Sequence, residues 1–554
     1  MPALSHLKYD EAWYAKPMGR VPDISLGQML RHSARKFGSR TAAICLDYPL
    51  TYAQLDELSD RFATFLHQRG IGKGDRVATL LPNILQHLVV FFGIVKLGAI
   101  SVPCNVMAKE RELDYFIKDS GARAIVVLDM FYDVVDKVRQ KRPFETVVVC
   151  SLGDFMSPVK RVLGRLLGRL RSYPIPYGGD PSLFRFRQVL NATKDDWCLK
   201  VDINPHADPL LILYTAGTTG EPKGVVLTHR NFIYNIVNTS SAEDTGPDDI
   251  ALILFPMFHI SGYILFTLPS LYIGGTAVLH PRFDAKEYLR LIDKYKVTLF
   301  AAPPTVYVAF LNHPEFSKYD VSSLRFAYGC GAPVPSPLQE AWNRATGLDL
   351  INGYGLTETT ATAVTSLSRK KNLEPSCIGV PVGGEVAIID EDGKIVPRGQ
   401  QGEIAFRGPQ VMKEYWNKPE ETKKVFTKDG WFRTGDAGYM SEEGFTYFVE
   451  RIKDLIIASG YNIAPAEIEA VIQEHPAVKE SAVVSVPDEY RGETVKAFVV
   501  LREQFKGRCT EEEIIEFCRE RMAAYKCPRK VEFISELPKS PTQKVLRKLL
   551  RERG

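Results

Sequence analysis

The chain has 554 residues, enough for about three to five domain-sized units. Hydrophobic residues make up 45% of it and charged residues 25%, a globular composition that excludes a disordered or collagen-like chain. The 70 basic residues nearly balance the 66 acidic ones, so the net charge of +4 creates no general attraction for polyanions.

The nine cysteines form no CxxC pair, which argues against zinc and thioredoxin-type sites and favours thiols in a reducing cytosol. The N-terminal segment lacks the apolar stretch of a signal peptide, and the last three residues, ERG, are not a peroxisomal signal. Residues 250–281 carry no charge, but prolines and glycines interrupt them, which predicts a buried strand, a loop and a buried helix. We therefore expect a cytoplasmic protein.

The first 150 residues alternate between helical and strand patterns. Residues 51–69 place their leucines and phenylalanines on one helical face. The next predicted elements are a strand at 76–81, a helix at 86–97 and strands at 99–102, 122–128 and 146–149. This alternation predicts an α/β fold with a parallel sheet.

Residues 155–179 contain five basic residues and no acidic one. Their apolar residues follow helical spacing: Val159, Val162, Leu163, Leu166, Leu167 and Leu170. A basic amphipathic helix of this kind suits the surface of an anionic membrane, so one expectation is peripheral membrane contact through residues 159–171. The alternative is a surface helix that covers the core and keeps its arginines in solvent.

The last third of the chain has a different pattern. Short strands and glycine-rich turns over residues 378–448 predict a small β-rich subdomain. Beyond Arg451 the predicted elements are helices at 464–472 and 510–522 and strands at 481–486 and 495–501. Thr510-Glu-Glu-Glu513 predicts a capping box, and the segment as a whole predicts an independent α+β domain.

Residues 213–229, LYTAGTTGEPKGVVLTH, combine flexible backbone, hydroxyl donors and a cation. The residues concerned are Thr215, Gly217, Thr218, Thr219, Gly220, Lys223 and Gly224. Such a loop suits an oligophosphate, although it is not a Walker A sequence.

Further motifs follow in order: FPMFH at 255–259, YGCGAP at 328–333, NGYGLTET at 352–359, GWFRTGD at 430–436, RIKD at 451–454, SGYN at 459–462 and PKSPTQK at 538–544. Together with the Gly/Thr loop, they resemble the adenylate-forming superfamily of acyl-CoA synthetases, peptide-synthetase adenylation domains and luciferases. The resemblance spans roughly residues 25–550. In the family loop Ser or Gly usually stands where this chain has Ala216.

The resemblance implies a large N-terminal lobe, residues 1–452, with two parallel-sheet α/β subdomains and a small β-rich subdomain. A small mobile α+β domain, residues 453–554, would follow, with Lys453 at the hinge. It implies that Tyr354 stacks on adenine, Thr357 contacts the α-phosphate and Asp436 accepts the ribose hydroxyls. The other implied ATP and AMP contacts are the loop residues Thr215 to Lys223 given above, Gly329, Gly331, Ala332, Gly353, Gly355 and Arg451.

The implied catalytic set is Lys544, Thr218, Lys223, His259 and Glu358, with Glu358 also the Mg²⁺ ligand. On charge alone Lys539, Arg547 and Lys548 compete with Lys544, and Gln543 replaces the glycine that usually precedes this lysine. His259 is expected beside the acyl carboxylate or the CoA thiol path. The implied CoA contacts are Ser459, Gly460 and Tyr461.

These residues predict an ATP-dependent, AMP-forming acid:CoA ligase that uses ATP, Mg²⁺ and coenzyme A. Residues 457–471 and 516–549 are most similar to bacterial medium- or long-chain fatty acyl-CoA synthetases, so the expected acid is a fatty acid. The alternatives are an aryl or cinnamate CoA ligase, an acyl-AMP ligase that loads a carrier protein, a luciferase-like oxygenase and a non-catalytic membrane-binding protein. A homodimer is left open, and no nucleic-acid reader motif is present.

Overall fold

The computed structural model describes residues 20–168, 170–171, 173–193, 201–215, 222–331, 334–366, 376–458, 461–488, 492–524, 526–539 and 545–553. These residues form three sheets with helices packed against them. Within the described ranges, no helix is both long enough and apolar enough to span a bilayer.

The α-helices are α1 (Leu26–Phe37), α2 (Tyr52–Gln68), α3 (Leu85–Lys96), α4 (Glu110–Ser120), α5 (Tyr132–Lys141), α6 (Pro158–Leu166), α7 (Phe186–Ala192), α8 (His229–Ala242), α9 (Ile260–Ile264), α10 (Thr267–Ile273), α11 (Ala285–Tyr295), α12 (Pro304–Leu311), α13 (Ser336–Thr346), α14 (Pro419–Lys424), α15 (Pro465–Gln473), α16 (Glu511–Arg519) and α17 (Arg547–Arg551).

The strands are β1 (Thr41–Cys45), β2 (Tyr48–Thr51), β3 (Arg76–Leu80), β4 (Ile100–Pro103), β5 (Ala124–Leu128), β6 (Thr146–Cys150), β7 (Leu183–Arg185), β8 (Pro209–Thr215), β9 (Lys223–Thr228), β10 (Ile250–Ile253), β11 (Thr276–Leu279), β12 (Leu299–Ala302), β13 (Phe326–Cys330), β14 (Leu350–Tyr354), β15 (Val364–Thr365), β16 (Cys377–Pro381), β17 (Glu385–Ile389), β18 (Gly402–Arg407), β19 (Glu414–Tyr415), β20 (Phe432–Met440), β21 (Thr446–Arg451), β22 (Ile456–Ala458), β23 (Tyr461–Ile463), β24 (Val478–Asp488), β25 (Gly492–Leu501) and β26 (Lys530–Phe533).

The first sheet has the strand order β19-β9-β8-β4-β3-β5-β6-β7. Its central pairs from β8 to β7 are parallel, as the alternation of helices and strands predicts, while β8, β9 and β19 pair antiparallel. Strand β5 reads AIVVL without polar residues because both faces are covered. Ile125 and Val127 pack with α4 and α5, whereas Ala124 and Val126 face the core shared with α2 and α3.

The second sheet has thirteen strands, in the order β17-β18-β20-β21-β16-β15-β14-β13-β12-β10-β11-β1-β2. From β1 to β14 the neighbouring strands are parallel, and from β14 to β17 they are antiparallel. One of the two predicted α/β subdomains and the β-rich subdomain therefore share one continuous sheet. The largest core lies between the two sheets and includes α3, α8 and α10.

The uncharged stretch at 250–281 forms β10, the short helices α9 and α10, and β11, all largely buried. This confirms the predicted strand, loop and helix, with two helices in place of one.

Helix α6 covers only part of the predicted amphipathic segment. Ser157 caps its N-terminus, and the helix ends at Leu166. Gly168 has a φ of +65°, a left-handed conformation that cannot continue the helix. The predicted helical face through Leu170 is therefore wrong beyond the helix end. Leu170 is buried, whereas the apolar residues of α6 are exposed, so α6 does not cover the core.

The C-terminal residues form the third sheet, β22–β26, with α15, α16 and α17 packed against it. The predicted capping box is confirmed: Thr510 Oγ1 accepts from the Glu513 backbone N–H at 3.3 Å, and Glu513 Oε2 accepts from the Thr510 N–H at 3.2 Å. Helix α16 ends at Arg519, earlier than the predicted end at Met522.

Candidate active site

The adenine-side residues predicted from the sequence lie at the carboxyl ends of two parallel strands. Gly329 belongs to β13 and Gly353 to β14, and these strands are hydrogen-bonded neighbours. Ligands of open α/β sheets bind at this edge. Gly331 follows β13 with a φ of +82°, which favours glycine. A Cβ on Gly355 would lie 1.4 Å from the Ala361 carbonyl oxygen, so only glycine fits there.

A tyrosine, a carboxylate and an arginine form the first polar group of the site. Tyr354 Oη donates to Asp436 Oδ2 at 2.5 Å, and Arg451 Nε lies 3.6 Å from Asp436 Oδ1. Asp436 in β20 is paired in register with Arg451 in β21. Desolvation and the charge of Asp436 raise the pKa of Tyr354 well above its usual value, so Tyr354 stays a neutral donor.

Glu358 is the centre of the second polar group. It lies in a 3-10 turn, Thr357–Thr359, that follows β14. Tyr415 Oη donates to Glu358 Oε1 at 2.8 Å, and the Met412 N–H donates to the Glu358 carbonyl at 2.7 Å. Desolvation raises the pKa of Glu358, while the Tyr415 hydrogen bond and the positive charges of Lys223 and Arg451 act in the opposite direction.

The donor set around Glu358 fits Mg²⁺ brought in with a nucleotide. Among the described residues, no cluster of three or more His, Cys, Asp or Glu side chains could hold a metal ion by itself. A single carboxylate that completes its coordination with phosphate oxygens and water is the usual protein contribution at such sites.

Lys223 connects the Gly/Thr loop to Glu358. Its Nζ lies 2.7 Å from Glu421 Oε2 and 5.0 Å from the centre of the Tyr415 ring. The antiparallel pair β8–β9 brings Thr215 opposite Lys223, so the two ends of the loop meet. Tyr354 ends β14 and Glu358 lies in the turn that follows it, so the two polar groups adjoin each other.

His259 lies at the start of α9. Its Nδ1 accepts from the Ser261 N–H at 3.2 Å, and its ring centre is 6.3 Å from that of Phe255. Asn83, beyond the end of β3, holds this loop: its Nδ2 donates to the Phe255 carbonyl at 2.9 Å, and its Oδ1 accepts from the Met257 N–H at 2.9 Å. The loop with His259 is therefore tied to the first sheet.

The predicted hinge residue adjoins the pair of Asp436 and Arg451. Lys453 lies in a 3-10 turn, Ile452–Asp454, directly after Arg451. Desolvation of its ammonium and the charge of Arg451 lower the pKa of Lys453 to about 8. On the far side of the turn, Arg551 of α17 forms an ion pair with Asp454 at 2.5 Å.

Several predicted site residues lie outside the described residues: Gly217, Thr218, Thr219, Gly220, Ala332, Ser459, Gly460 and Lys544. Tyr461 begins β23.

The sequence did not indicate three residues of the site: Asn83, Tyr415 and Glu421. Tyr415 and Glu421 reach Glu358 and Lys223 because β19, only two residues long, pairs with β9, some 190 positions earlier in the chain. No local pattern indicates that pairing.

Comparison with known proteins identifies the family. The model of the family described as AMP-binding enzyme matches residues 30–416, and that of the AMP-binding enzyme C-terminal domain matches residues 467–544. The chain belongs to this family. It is 38% identical to a long-chain-fatty-acid–CoA ligase of Bacillus subtilis, over 96% of this chain and 95% of the relative.

Solved structures of the family share the fold. ATP-bound MatB from Rhodopseudomonas palustris is similar to the AMP-binding chain with a TM-score of 0.84 and 29% identity, over 96% of this chain and 99% of MatB. The anthranilate CoA ligase AuaEII with anthranoyl-AMP gives a TM-score of 0.83 and 29% identity, over 96% and 98% of the two chains. The predicted family and α/β fold are confirmed.

Proposed function

We propose that this AMP-binding enzyme joins a long-chain fatty acid to coenzyme A at the expense of ATP, releasing AMP and pyrophosphate. It belongs to the class of AMP-forming acyl-CoA synthetases, with ATP and CoA as co-substrates and Mg²⁺ as cofactor. The observation that carries the proposal is the linked set of Glu358, Tyr415 and Lys223 beside Asp436 and Arg451. The Bacillus subtilis relative supports the fatty acid as substrate.

In the first half-reaction a carboxylate oxygen of the acid attacks the α-phosphorus of ATP. The bond to the β-phosphate breaks and pyrophosphate leaves, so that an acyl-adenylate remains. Lys223 leaves Glu421 for the phosphates, and Lys544 reaches the carboxylate and the α-phosphate, as the family resemblance implies. Mg²⁺, when bound at Glu358, offsets phosphate charge.

In the second half-reaction the thiol of CoA gives its proton to the solvent and attacks the acyl carbon. The bond between that carbon and the AMP oxygen breaks, so AMP leaves and a thioester forms. We place His259 beside this path and assign Ser459, Gly460 and Tyr461 to the pantetheine arm. The domain after residue 452 turns about Lys453 between the two halves, which exchanges Lys544 for the CoA contacts.

A substrate panel tests the proposal. Palmitate, oleate and cinnamate are each incubated with ATP and Mg²⁺, with either CoA or a phosphopantetheinyl carrier protein as acceptor. We expect acyl-CoA from palmitate and oleate, with equal amounts of AMP, because the related ligases have this activity. A product from cinnamate alone would favour the aryl alternative, and acylation of the carrier alone would favour the carrier-loading alternative.

We also propose that α6 rests on an anionic membrane from which the fatty acid is drawn. The side chains of Val159, Leu163 and Leu166 are 68%, 50% and 78% exposed. The same helix carries three basic residues, Lys160, Arg161 and Arg165. Exposed apolar side chains with a basic border combine hydrophobic insertion with attraction to anionic headgroups.

The double variant Leu163→Glu with Leu166→Glu is expected to reduce binding to phosphatidylcholine vesicles that contain phosphatidylglycerol by at least about tenfold. The loss follows from the two charges placed on the inserting face, and cosedimentation measures it. Val308→Glu is the matched control, since Val308 is 43% exposed and belongs to α12, which packs on the second sheet. Unchanged vesicle binding by the double variant would rule out α6 as the contact.

A further inference from the structure

The side-chain amide of Asn235 is buried at the centre of α8 and fully hydrogen-bonded. Asn235 is 0% exposed. Its Nδ2 donates to the Thr360 and Thr362 carbonyls, both at 2.8 Å, and its Oδ1 accepts from Thr239 Oγ1 at 2.8 Å. Both amide hydrogens are therefore used on one backbone turn, and Thr239 fixes the orientation of the amide.

The turn that Asn235 holds is conformationally strained. Thr360 and Ala361 have φ values of +55° and +69°, so two consecutive residues other than glycine adopt the left-handed conformation. Such residues persist only where the surrounding structure determines them. The two carbonyls bound by Asn235 belong to Thr360 and Thr362, on either side of Ala361.

This turn is directly coupled to Glu358. The Thr360 N–H donates to the Thr357 carbonyl at 3.1 Å, and the Ala361 N–H donates to the Leu356 carbonyl at 2.9 Å. The Ala361 carbonyl also lies where a Cβ on Gly355 would be. A shift of the turn would therefore move the backbone from Gly355 to Glu358 with it.

A second contact of α8 holds the other segment beside Glu358. Asn231, one helical turn before Asn235, donates through Nδ2 to the Pro409 and Val411 carbonyls at 2.7 and 2.9 Å. The next residue, Met412, donates its N–H to the Glu358 carbonyl. Helix α8 thus fixes both backbone segments that flank Glu358.

We infer that Asn235 is a positioning residue that holds the Glu358 carboxylate where it takes up the Mg²⁺ of MgATP. The inference rests on the proposed role of Glu358 as the Mg²⁺ ligand. Asn235 touches neither nucleotide nor metal in this account, and it acts only through the turn at Thr360 and Ala361. Groups that orient a metal ligand commonly affect metal affinity by about 10–100-fold.

The test compares ATP binding with and without Mg²⁺ by titration calorimetry, in the absence of any acid so that no turnover occurs. Asn235→Asp keeps the size of the side chain but removes both donors and places an oxygen against the two carbonyls. In the wild type, Mg²⁺ increases the affinity for ATP by some factor, which we call the gain from Mg²⁺. We expect this gain to be at least about tenfold smaller in the variant. Its affinity for metal-free ATP is expected to stay close to that of the wild type.

A second variant covers the case in which Asn235→Asp does not fold. Thr239→Val removes only the hydrogen bond to Asn235 Oδ1, at a buried site of similar shape, and is expected to produce a smaller loss in the same direction. Tyr52→Phe is the matched control. Its fully buried hydroxyl shares one hydrogen between the Gly275 and Ser270 carbonyls, at 2.7 and 3.1 Å. Loss of this hydroxyl is expected to lower the melting temperature without changing the effect of Mg²⁺.

Glu358→Gln distinguishes a wrong role for Glu358 from a wrong role for Asn235. If this variant keeps the full gain from Mg²⁺, the proposed role of Glu358 is wrong. If it loses the gain while Asn235→Asp and Thr239→Val keep it, the positioning role of Asn235 is overturned. Loss in all three variants, with Tyr52→Phe unchanged, supports the inference.

Discussion

Replacing Lys544 with alanine is expected to slow acyl-adenylate formation by about 10²–10³-fold, the usual effect of removing one group that stabilises developing charge. The structure narrows the choice among the basic residues near the C-terminus. Lys539 forms an ion pair with Glu480 at 2.8 Å, and Arg547 forms one with Glu469 at 2.8 Å. Carboxylates therefore already engage both cations, and Lys548 lies 4.0 Å from Glu552. We assign the role to Lys544 because the family resemblance implies it.

The two half-reactions distinguish a catalytic role of Lys544 from a general loss of structure. Pyrophosphate release from ATP and palmitate measures the first half, and thioester formation from synthetic palmitoyl-AMP and CoA measures the second. We expect Lys544→Ala to slow only the first. Lys548→Ala, at an exposed neighbouring position, is the control and should leave both rates near wild type. Equal slowing of both halves by Lys544→Ala would contradict the assignment.

Replacing Asp436 with asparagine is expected to lower kcat/KM for ATP by about 10²-fold or more. In its proposed role Asp436 accepts two hydrogen bonds from ribose hydroxyls, and hydrogen bonds to a charged acceptor are each worth about 1.5–3 kcal/mol. The Asp436 side chain is only 6% exposed, so little water competes for its oxygens. Steady-state kinetics with ATP as the varied substrate measure the effect.

Substrate analogues make the Asp436 prediction specific. The wild type should prefer ATP to 2′-deoxy-ATP, and Asp436→Asn should lose most of this preference because the partner of the 2′-hydroxyl is weakened. Tyr354→Phe is the control, and it should keep the preference for ATP. It retains the ring and the Asp436 carboxylate, and it removes only the hydroxyl that donates to Asp436 at 2.5 Å. If Asp436→Asn keeps the wild-type preference for ATP over 2′-deoxy-ATP, Asp436 does not contact the ribose.

Local patterns predicted elements whose stability depends on their own residues. The helix at 51–69 is confirmed as α2 because its apolar face repeats at helical spacing and Thr51 with Gln54 forms a capping box. The capping box at Thr510 is confirmed for the same reason. The predicted extension of α6 to Leu170 was wrong because the left-handed conformation of Gly168 ends the helix within an otherwise periodic pattern.

Contacts between distant parts of the chain could not be predicted in this way. Tyr415 reaches Glu358 only through the pairing of β19 with β9, and Asn235 reaches Thr360 only because α8 packs beside that turn. An asparagine in a helix looks the same in sequence whether it faces water or two buried carbonyls. The motif residues Glu358 and Asp436 were found because of family resemblance, whereas the residues that support them carry no such pattern.

The most direct measurement follows the carboxylate oxygens of the acid, in the palmitate arm of the substrate panel. Palmitate labelled with oxygen-18 is converted with ATP, Mg²⁺ and CoA, and the products are analysed by mass spectrometry. If the carboxylate attacks the α-phosphorus and CoA then displaces AMP, one labelled oxygen appears in AMP and none in pyrophosphate. Label in inorganic phosphate with release of ADP, or palmitoyl-CoA without labelled AMP, would contradict the acyl-adenylate route.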